Sequence, residues 1–466
     1  MTGFDALRAR LVRDYEKKTP GSRRIFRRAE KVMVAGGSHT IRLWRPYPFF
    51  TAAAEGARVR DVDGNSYIDY WQGHYANILG HEPRPLRRGL TASLARGAMH
   101  TGFEAAGQIE LAETLVRALG GRGAKVRFTT SGTLATMYAV MMAQGLTGRD
   151  LVLKVGGGWH GASPYLLKGV KFRPGLGFES SESAGLLDDI VRRTLVTRFN
   201  DVEDLSRVMA EHGDRLACLI VEPFLGVGGF LAATPEYLET ARRLTRERGV
   251  ILIFDEIISG YRFRPGGVQT FYGIRPDLTT LGKIIGGGHA VAAVVGPREL
   301  MDECEHGRGG GARVYFEGGT FSAHAEYMKA GLVMLGELAG RAATLYPRIG
   351  ALGERLRRGI EEAFAKEGIE ARATGDGNAA IPGSSLFMTH FPRRPGLACD
   401  RPDDLHDPDR SDLRMREDLL KLALLVNGVN VVHGGGAVSA AHGSKDIAAT
   451  IAAYAEAARL FRKYLG

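Results

Sequence analysis

The chain has 466 residues, more than one ordinary hydrophobic core holds, so a large domain with smaller units attached is expected. Hydrophobic residues at 44% and charged residues at 24% suit a soluble globular enzyme, and no run approaches the roughly 18 apolar residues of a membrane span, which argues against a membrane partner. The net charge of +10 comes from scattered basic residues, the densest being RRIFRR at 23–28 in a helical stretch, so a solvated helix face is expected there and not a nucleic-acid surface.

The N-terminal MTGFDALRARLVRDYEKK interleaves apolar and charged residues at helical spacing, without the apolar core of a secretory signal, and a cytoplasmic location is expected. Cys218, Cys304 and Cys399 lie far apart with no C-x-x-C pair, so neither a disulfide framework nor a metal site is expected. Glycine is the outlier: 63 residues is well above the ~7% of average usage.

In chain order, a helix runs from Phe4 to about Lys18, and a second ends near Gly36 and Gly37. An extended arm follows, in which Trp44, Tyr47, Phe49 and Phe50 must pack on this chain or a neighbour. ARVRDVDGNSYIDYW reads as a hairpin with a DG turn, QIELAETLVRAL as a helix, KVRFTT as a strand and LATMYAVMMAQGL as a helix. Apolar runs at 151–155, 216–223, 250–256 and 290–296 read as central strands of a mostly parallel sheet covered on both faces. Ligands in such sheets bind at the carboxyl ends of the strands, which points to Glu222, Asp255 and Glu256. Beyond about Ala330 long helical patterns take over, interrupted by the proline-rich stretch 392–412, expected to be a surface excursion. The division is therefore 1–75 (helices, arm and hairpin), 76–327 (large α/β domain) and 328–466 (smaller α+β domain).

Four stretches carry chemistry. In DLTTLGKIIGGGHA, Lys283 is not a P-loop lysine, because Asp277 and Ile284 stand where glycine and serine or threonine belong. Most lysines are exposed, but this one is the only charged residue between Asp277 and Arg298, and glycines beside it admit a ligand or another backbone. An apolar setting without a local carboxylate depresses the amine pKa, as Schiff-base chemistry requires. Asp255 ends the strongest strand, where an aspartate is often a helix cap. Buried against a heterocycle nitrogen, it would instead hold that nitrogen protonated, the pairing used for pyridoxal phosphate. Ser131, Gly132 and Thr133 lie between a strand and a helix, either as a plain cap or as a phosphate site at the helix N-terminus. GGGWHG contains a G-x-G-x-x-G spacing from Gly156 to Gly161 that leaves a remote dinucleotide-oxidoreductase alternative. Trp159 there offers a ring face, with His160 beside it.

DEIISGYRF and PDLTTLGKIIGGG, with SGTLATM, GGWHGA, VEP and EGGTFSAH, resemble the class III aminotransferases and, within them, the glutamate-1-semialdehyde aminomutase subgroup. The resemblance implies a fold-type-I pyridoxal 5'-phosphate enzyme: a large domain with a mostly parallel, seven-stranded-type sheet and a smaller α+β C-terminal domain. Lys283 would be the Schiff-base lysine and the base that moves the α-proton, and Asp255 the partner of the pyridine nitrogen. Ile257 and Trp159 would flank the ring, with His160 and Glu222 beside the cofactor and Ser131, Gly132 and Thr133 at the phosphate. Thr320 would reach the phosphate of a neighbouring subunit, which implies a homodimer with shared active sites. Arg42, within one position of the subgroup's carboxylate-binding arginine, and the pocket residues His74 and Tyr75 would meet the substrate.

The departures are Leu134 in place of an acid, Ala323 and His324 in FSAHA, and Val227 where other branches carry a substrate-switching acid. The expected activity is transfer of an amino group between an amino acid, with β- and D-amino acids among the candidates, and a keto or aldehyde acceptor. The alternative is a 2,1-aminomutase, an isomerase.

Overall fold

The computed structural model describes residues 2–121, 123–305 and 314–466. The first helix, Gly3–Lys18, starts at Thr2, whose hydroxyl accepts the Asp5 N–H at 3.2 Å, and buries Leu7, Leu11 and Tyr15 at four-residue spacing. The second, Pro20–Ala29, ends earlier than expected, and a short 3-10 turn at Val34–Gly36 precedes the arm. The arm's aromatics pack on this chain: Phe49 stacks on Tyr67 at 4.6 Å between ring centroids, and Tyr47 lies 5.5 Å from Tyr15. β1 (Thr51–Glu55), β2 (Arg58–Asp61) and β3 (Ser66–Asp69) form an antiparallel meander.

The large sheet takes β4 (Ala124–Thr129), β5 (Leu151–Val155), β6 (Thr194–Thr197) and β7 (Leu216–Val221). A two-stranded excursion, β8 (Phe224–Leu225) and β9 (Leu231–Ala232), precedes β10 (Ile251–Glu256), β11 (Leu278–Leu281) and β12 (Ala292–Pro297). The sheet has seven strands in the order β4-β12-β11-β10-β7-β5-β6, with β12 antiparallel to both neighbours. Every residue of β5 and β7 is buried, because helices cover both faces. The helix Gly132–Thr147 packs on one face, and Val202–His212 with Pro235–Arg248 on the other.

β13 (Arg372–Thr374), β14 (Leu386–His390) and, after β15 (Val429–Asn430), β16 (Gly435–Ala437) complete the strands. β13, β14 and β16 form the smaller sheet, whereas β15 adds in parallel to β3 and so closes the N-terminal meander. One core joins Leu7 and Leu11 to Leu422 and Phe461, so the two ends of the chain fold together. The expected division at 328 falls inside the helix Ala325–Gly340, which runs past the Lys283 turn. The long helical pattern breaks at Arg341, where Ala342–Ala365 starts.

The stretch 392–412 is not a surface excursion. Its Cys399 and Leu405 are buried in the core formed by β5, β7 and β10, and a Cβ on Gly229 would meet Leu405 at 2.2 Å. Apolar residues spaced among prolines and aspartates anchor the loop, and its buried Asp404 is paired with Arg410 at 2.7 Å. Among the described residues, no helix is long and apolar enough to cross a membrane.

Candidate active site

Five parallel strands deliver their carboxyl ends to one edge of the sheet, and the residues just beyond them enclose a cavity of about 220 Å³. Ser131, Gly132 and Thr133 arrive from β4, Trp159 and His160 from β5, Glu222 from β7, Asp255 and Ile257 from β10, and Lys283 from β11. The alternation of β10 separates its two acids. Asp255 faces the cavity, while the buried Glu256 turns away and accepts the N–H groups of Val268 (2.7 Å) and Gln269 (3.0 Å).

Asp255 is held by three donors. His160 Nδ1 lies 2.8 Å from Oδ2, and the Ile257 N–H (3.0 Å) and Thr280 Oγ1 (3.1 Å) donate to Oδ1. The carboxylate only accepts, so His160 carries its proton on Nδ1. Its Nε2 is buried with no hydrogen-bond partner among the described residues. Burial holds the His160 pKa below the usual value despite the attraction of Asp255, so the ring is neutral near pH 7. Thr280 was legible only through register: β10 and β11 pair Asp255 with Thr280.

Lys283 sits at φ +47°, in the left-handed region that a side chain occupies at a cost of about 1–3 kcal/mol when its surroundings demand it. Burial pushes its amine down to about 8, against the pull of Asp255 and Glu222. The lysine therefore has carboxylates near it in space, although none is near it in sequence. Glu222 accepts the N–H groups of Trp159 (2.9 Å) and Gly226 (3.0 Å) and is itself pushed up to about 8, by burial first and Asp255 second. The glycines after Lys283 serve a backbone: a Cβ on Gly287, at φ +57°, would stand 2.7 Å from the carbonyl oxygen of Ala330 in the neighbouring helix.

Ser131 caps the helix Gly132–Thr147, accepting the Leu134 N–H at 3.3 Å, so the first turn of that helix opens on the cavity. Gly161, at φ +82°, lies so close that a Cβ would fall 2.6 Å from Thr133 Cα. Thr136 Oγ1 donates to the His160 carbonyl at 2.6 Å and locks the two turns together. After Gly161 the chain enters a short 3-10 turn at Pro164–Leu166 and not a helix, which removes the pyrophosphate seat that a dinucleotide would need.

Lys154, inside β5, carried no sequence signal beyond a charge in an apolar strand. Fully buried, it donates to the carbonyls of Gly158 (2.9 Å), Leu166 (3.2 Å) and Lys168 (2.8 Å), and burial pushes it down to about 7. It thereby ties down the turn that presents Trp159 and His160. Lys154→Met strips three buried carbonyls of a shared donor and is expected to cost on the order of 3 kcal/mol. A lowered thermal midpoint in calorimetry checks this, and an unchanged one would sink it.

The remaining expected residues divide. Arg42 Nε donates to His74 Nε2 at 3.3 Å and its Nη1 to Ser38 Oγ at 3.1 Å. The His74 ring stands 5.4 Å from His39 and 4.5 Å from Trp71. Its pKa is pushed down to about 4 by burial and then by its neighbours Arg42, His39 and Lys283. Tyr75 does not join them. Its side chain is buried away from the cavity among Phe224, Phe230 and Phe263, because the backbone turns left-handed at this point and consecutive side chains diverge. Thr320 is exposed and does not line this chain's cavity. Among the described residues, no cluster of histidine, cysteine and acidic side chains could hold a metal ion.

The donor set fits pyridoxal phosphate: a helix N-terminus for a phosphate, a buried aspartate for a protonated ring nitrogen, an apolar and an aromatic side chain for two ring faces, and an amine for an aldehyde. Residues 42–378 match the class III aminotransferases. A glutamate-1-semialdehyde 2,1-aminomutase of Methanothermobacter thermautotrophicus is 38% identical over 371 residues, covering 79% of this chain and 83% of its own. An omega-transaminase of Sphaerobacter thermophilus has the same fold, with a TM-score of 0.84 at 31% identity over 94% of this chain and 97% of its own. A beta-phenylalanine aminotransferase of Variovorax paradoxus gives a TM-score of 0.81 at 27% identity over 97% and 96%. The chain belongs to the class III aminotransferases, enzymes that work with pyridoxal phosphate.

Proposed function

We propose that the protein moves an amino group from a carboxylate-bearing amine, a β-amino acid before a D-amino acid, to a keto or aldehyde acceptor. The observation that carries this is the cluster of the Arg42 guanidinium with the neutral His74 ring beside Lys283, in which Arg42 donates to His74 and Ser38 and has no carboxylate partner among the described residues. Such a cluster is stabilised by an anion, and a substrate carboxylate supplies one. The beta-phenylalanine aminotransferase of Variovorax paradoxus supports a β-amino acid.

When bound, pyridoxal phosphate supplies the electron sink that makes the α-proton removable. Asp255 holds a proton on the ring nitrogen, and its three donors keep it aimed there. The first turn of Gly132–Thr147 and the hydroxyl of Thr133 take the phosphate, while Ile257 and Trp159 confine the ring. With the cofactor bound, Lys283 Nζ would be the base that takes the proton from the donor's amine-bearing carbon and delivers it across the shared nitrogen to the cofactor side.

The protein works in the cytoplasm as a homodimer with shared sites, in which Thr320 serves the other subunit's phosphate. Exposed Phe321 follows Thr320, and the Thr101 hydroxyl, in the segment that exposes Met99 and Phe103, donates to the Thr320 carbonyl at 2.8 Å, so this apolar stretch is one surface suited to a second copy.

A second reading, an intramolecular amino shift, is favoured by the aminomutase of Methanothermobacter thermautotrophicus. One assay separates the two. The amine-form enzyme is given glutamate semialdehyde without an acceptor, and the resting enzyme is given β-phenylalanine with and without pyruvate. Transfer predicts turnover that depends on pyruvate and none with the semialdehyde alone. Sustained isomerisation of the semialdehyde would replace the transferase reading with the mutase one.

A further inference from the structure

We infer that Asp69 and Lys421 are positioning residues for the substrate carboxylate: one buried polar chain ties the turn that carries His74 to the arm that carries Arg42. The inference rests on the carboxylate reading above.

The turn needs an external hold. Gln72, Gly73, His74 and Tyr75 have φ of 47°, 60°, 58° and 69°, four consecutive left-handed residues of which three carry side chains. Such a backbone persists only where neighbours over-determine it. Asp69, at the end of β3, supplies most of the hold. Its Oδ2 accepts the Gln72 N–H at 2.9 Å, its Oδ1 the Trp71 N–H at 3.2 Å, and its carbonyl the Gln72 side-chain amide at 2.6 Å. The buried guanidinium of Arg262 donates to the Tyr75 carbonyl from the far side.

Asp69 is in turn fixed from the C-terminal part of the chain. Asn430 Nδ2 donates to its Oδ1 at 2.7 Å, and His81 Nε2 lies 2.8 Å from its Oδ2. Burial alone would raise Asp69, but His81 and then Asn430 outweigh it and the carboxyl stays ionised. Asn430 Oδ1 accepts from Lys421 Nζ at 2.7 Å, and Lys421 also donates to the Val431 carbonyl. The same ammonium stands 4.5 Å over the ring of Trp44, two residues from Arg42. Asp69, Asn430 and Lys421 are all buried. The path from Trp44 through Lys421, Asn430 and Asp69 to Gln72 thus sets the arm against the turn, and with them the distance between Arg42 and His74.

The test is steady-state kinetics of the holoenzyme with pyruvate as acceptor and two donors differing in a carboxylate, β-phenylalanine and 1-phenylethylamine. Calorimetric titration with 3-phenylpropanoate covers slow turnover. Asp69→Asn and Lys421→Met are each expected to raise KM for β-phenylalanine, and Kd for 3-phenylpropanoate, about tenfold, as loss of a supporting contact does. The kcat and the KM for 1-phenylethylamine should stay within about twofold. Lys421→Arg, which keeps the charge and the stacking, should restore part of the loss.

Arg42→Ala is the reference. If it leaves the carboxylate donor's KM and the Kd unchanged, the carboxylate reading fails, and the inference with it. If Arg42→Ala raises them but the other variants do not, or weaken both donors alike, the inference alone is overturned. A thermal scan of each variant confirms a folded protein, and Asp69→Asn retains the shape where Lys421→Met destabilises.

Discussion

Lys283→Ala is expected to lower turnover with every amine donor by roughly 10⁴-fold, the upper end of what losing a positioned acid–base group costs. It is also expected to abolish the mass that borohydride reduction adds to the wild-type holoenzyme. Among the described residues lining the cavity, Lys283 offers the one amine. Lys154, buried behind the turn that carries Trp159 and His160, is committed to three carbonyls. Lys283→Arg should not rescue, because a guanidinium does not give up its proton.

The wild-type lysine carries a pH signature as well. Burial sets its amine at about 8, well below the ordinary lysine value of 10.5. Because the pKa is lowered, the neutral, nucleophilic form is scarce below pH 8 and prevails above it, well before an exposed lysine would reach that state. Capture of pyridoxal phosphate by apoenzyme should therefore accelerate through about pH 8 and level off above. A stopped-flow profile still climbing at pH 10 would contradict the burial argument.

The strands that read most clearly were those buried on both faces: β7 is apolar throughout, and β5 and β10 are apolar but for Lys154 and the terminal Asp255 and Glu256, because helices cover them, and a long apolar run needs no tertiary knowledge to recognise. β6 (TLVT) and β11 (LTTL) are four residues long and half threonine, too short and polar to stand out. Asp255 and Lys283 were legible because each breaks an apolar context. The supporting groups were not. Lys154 and Arg262 meet backbone carbonyls, and a carbonyl acceptor leaves no mark in a residue type. Asp69 depends on Asn430, 361 residues away, which only the parallel pairing of β3 and β15 brings close. Tyr75 was misplaced for a related reason: its neighbour His74 does face the arm, but a left-handed turn sends the next side chain into a different core. Loop 392–412 looked wet by composition, and its burial rests on Cys399 and Leu405, spaced too far apart to form a pattern.

Asp255→Asn is expected to lower kcat by about 10²–10³-fold, the usual loss on removing one preorganised group that stabilises transition-state charge, with donor KM within about threefold of wild type. The carboxylate binds neither donor nor acceptor directly; it acts on the ring nitrogen, so its effect belongs to the proton-transfer step. Asparagine nearly preserves the shape but has one oxygen: placed at Oδ1 it still accepts from Ile257 and Thr280, and its amide nitrogen then stands where Oδ2 accepted from His160. It then turns an N–H toward the place where a ring nitrogen must keep its own proton, and it carries no charge to hold that proton. Neutral His160 cannot substitute, since burial disfavours its charged form. Exchange of the donor's α-hydrogen in deuterated water should fall in parallel with kcat, which separates lost electron withdrawal from slow product release. A second consequence has a definite sign. Asp255 favours the charged form of Lys283, so removing its charge should move the midpoint of cofactor capture below the wild-type value of about 8. An Asp255→Asn enzyme with unimpaired exchange, or a midpoint displaced upward, would show that Asp255 does not face the reacting system.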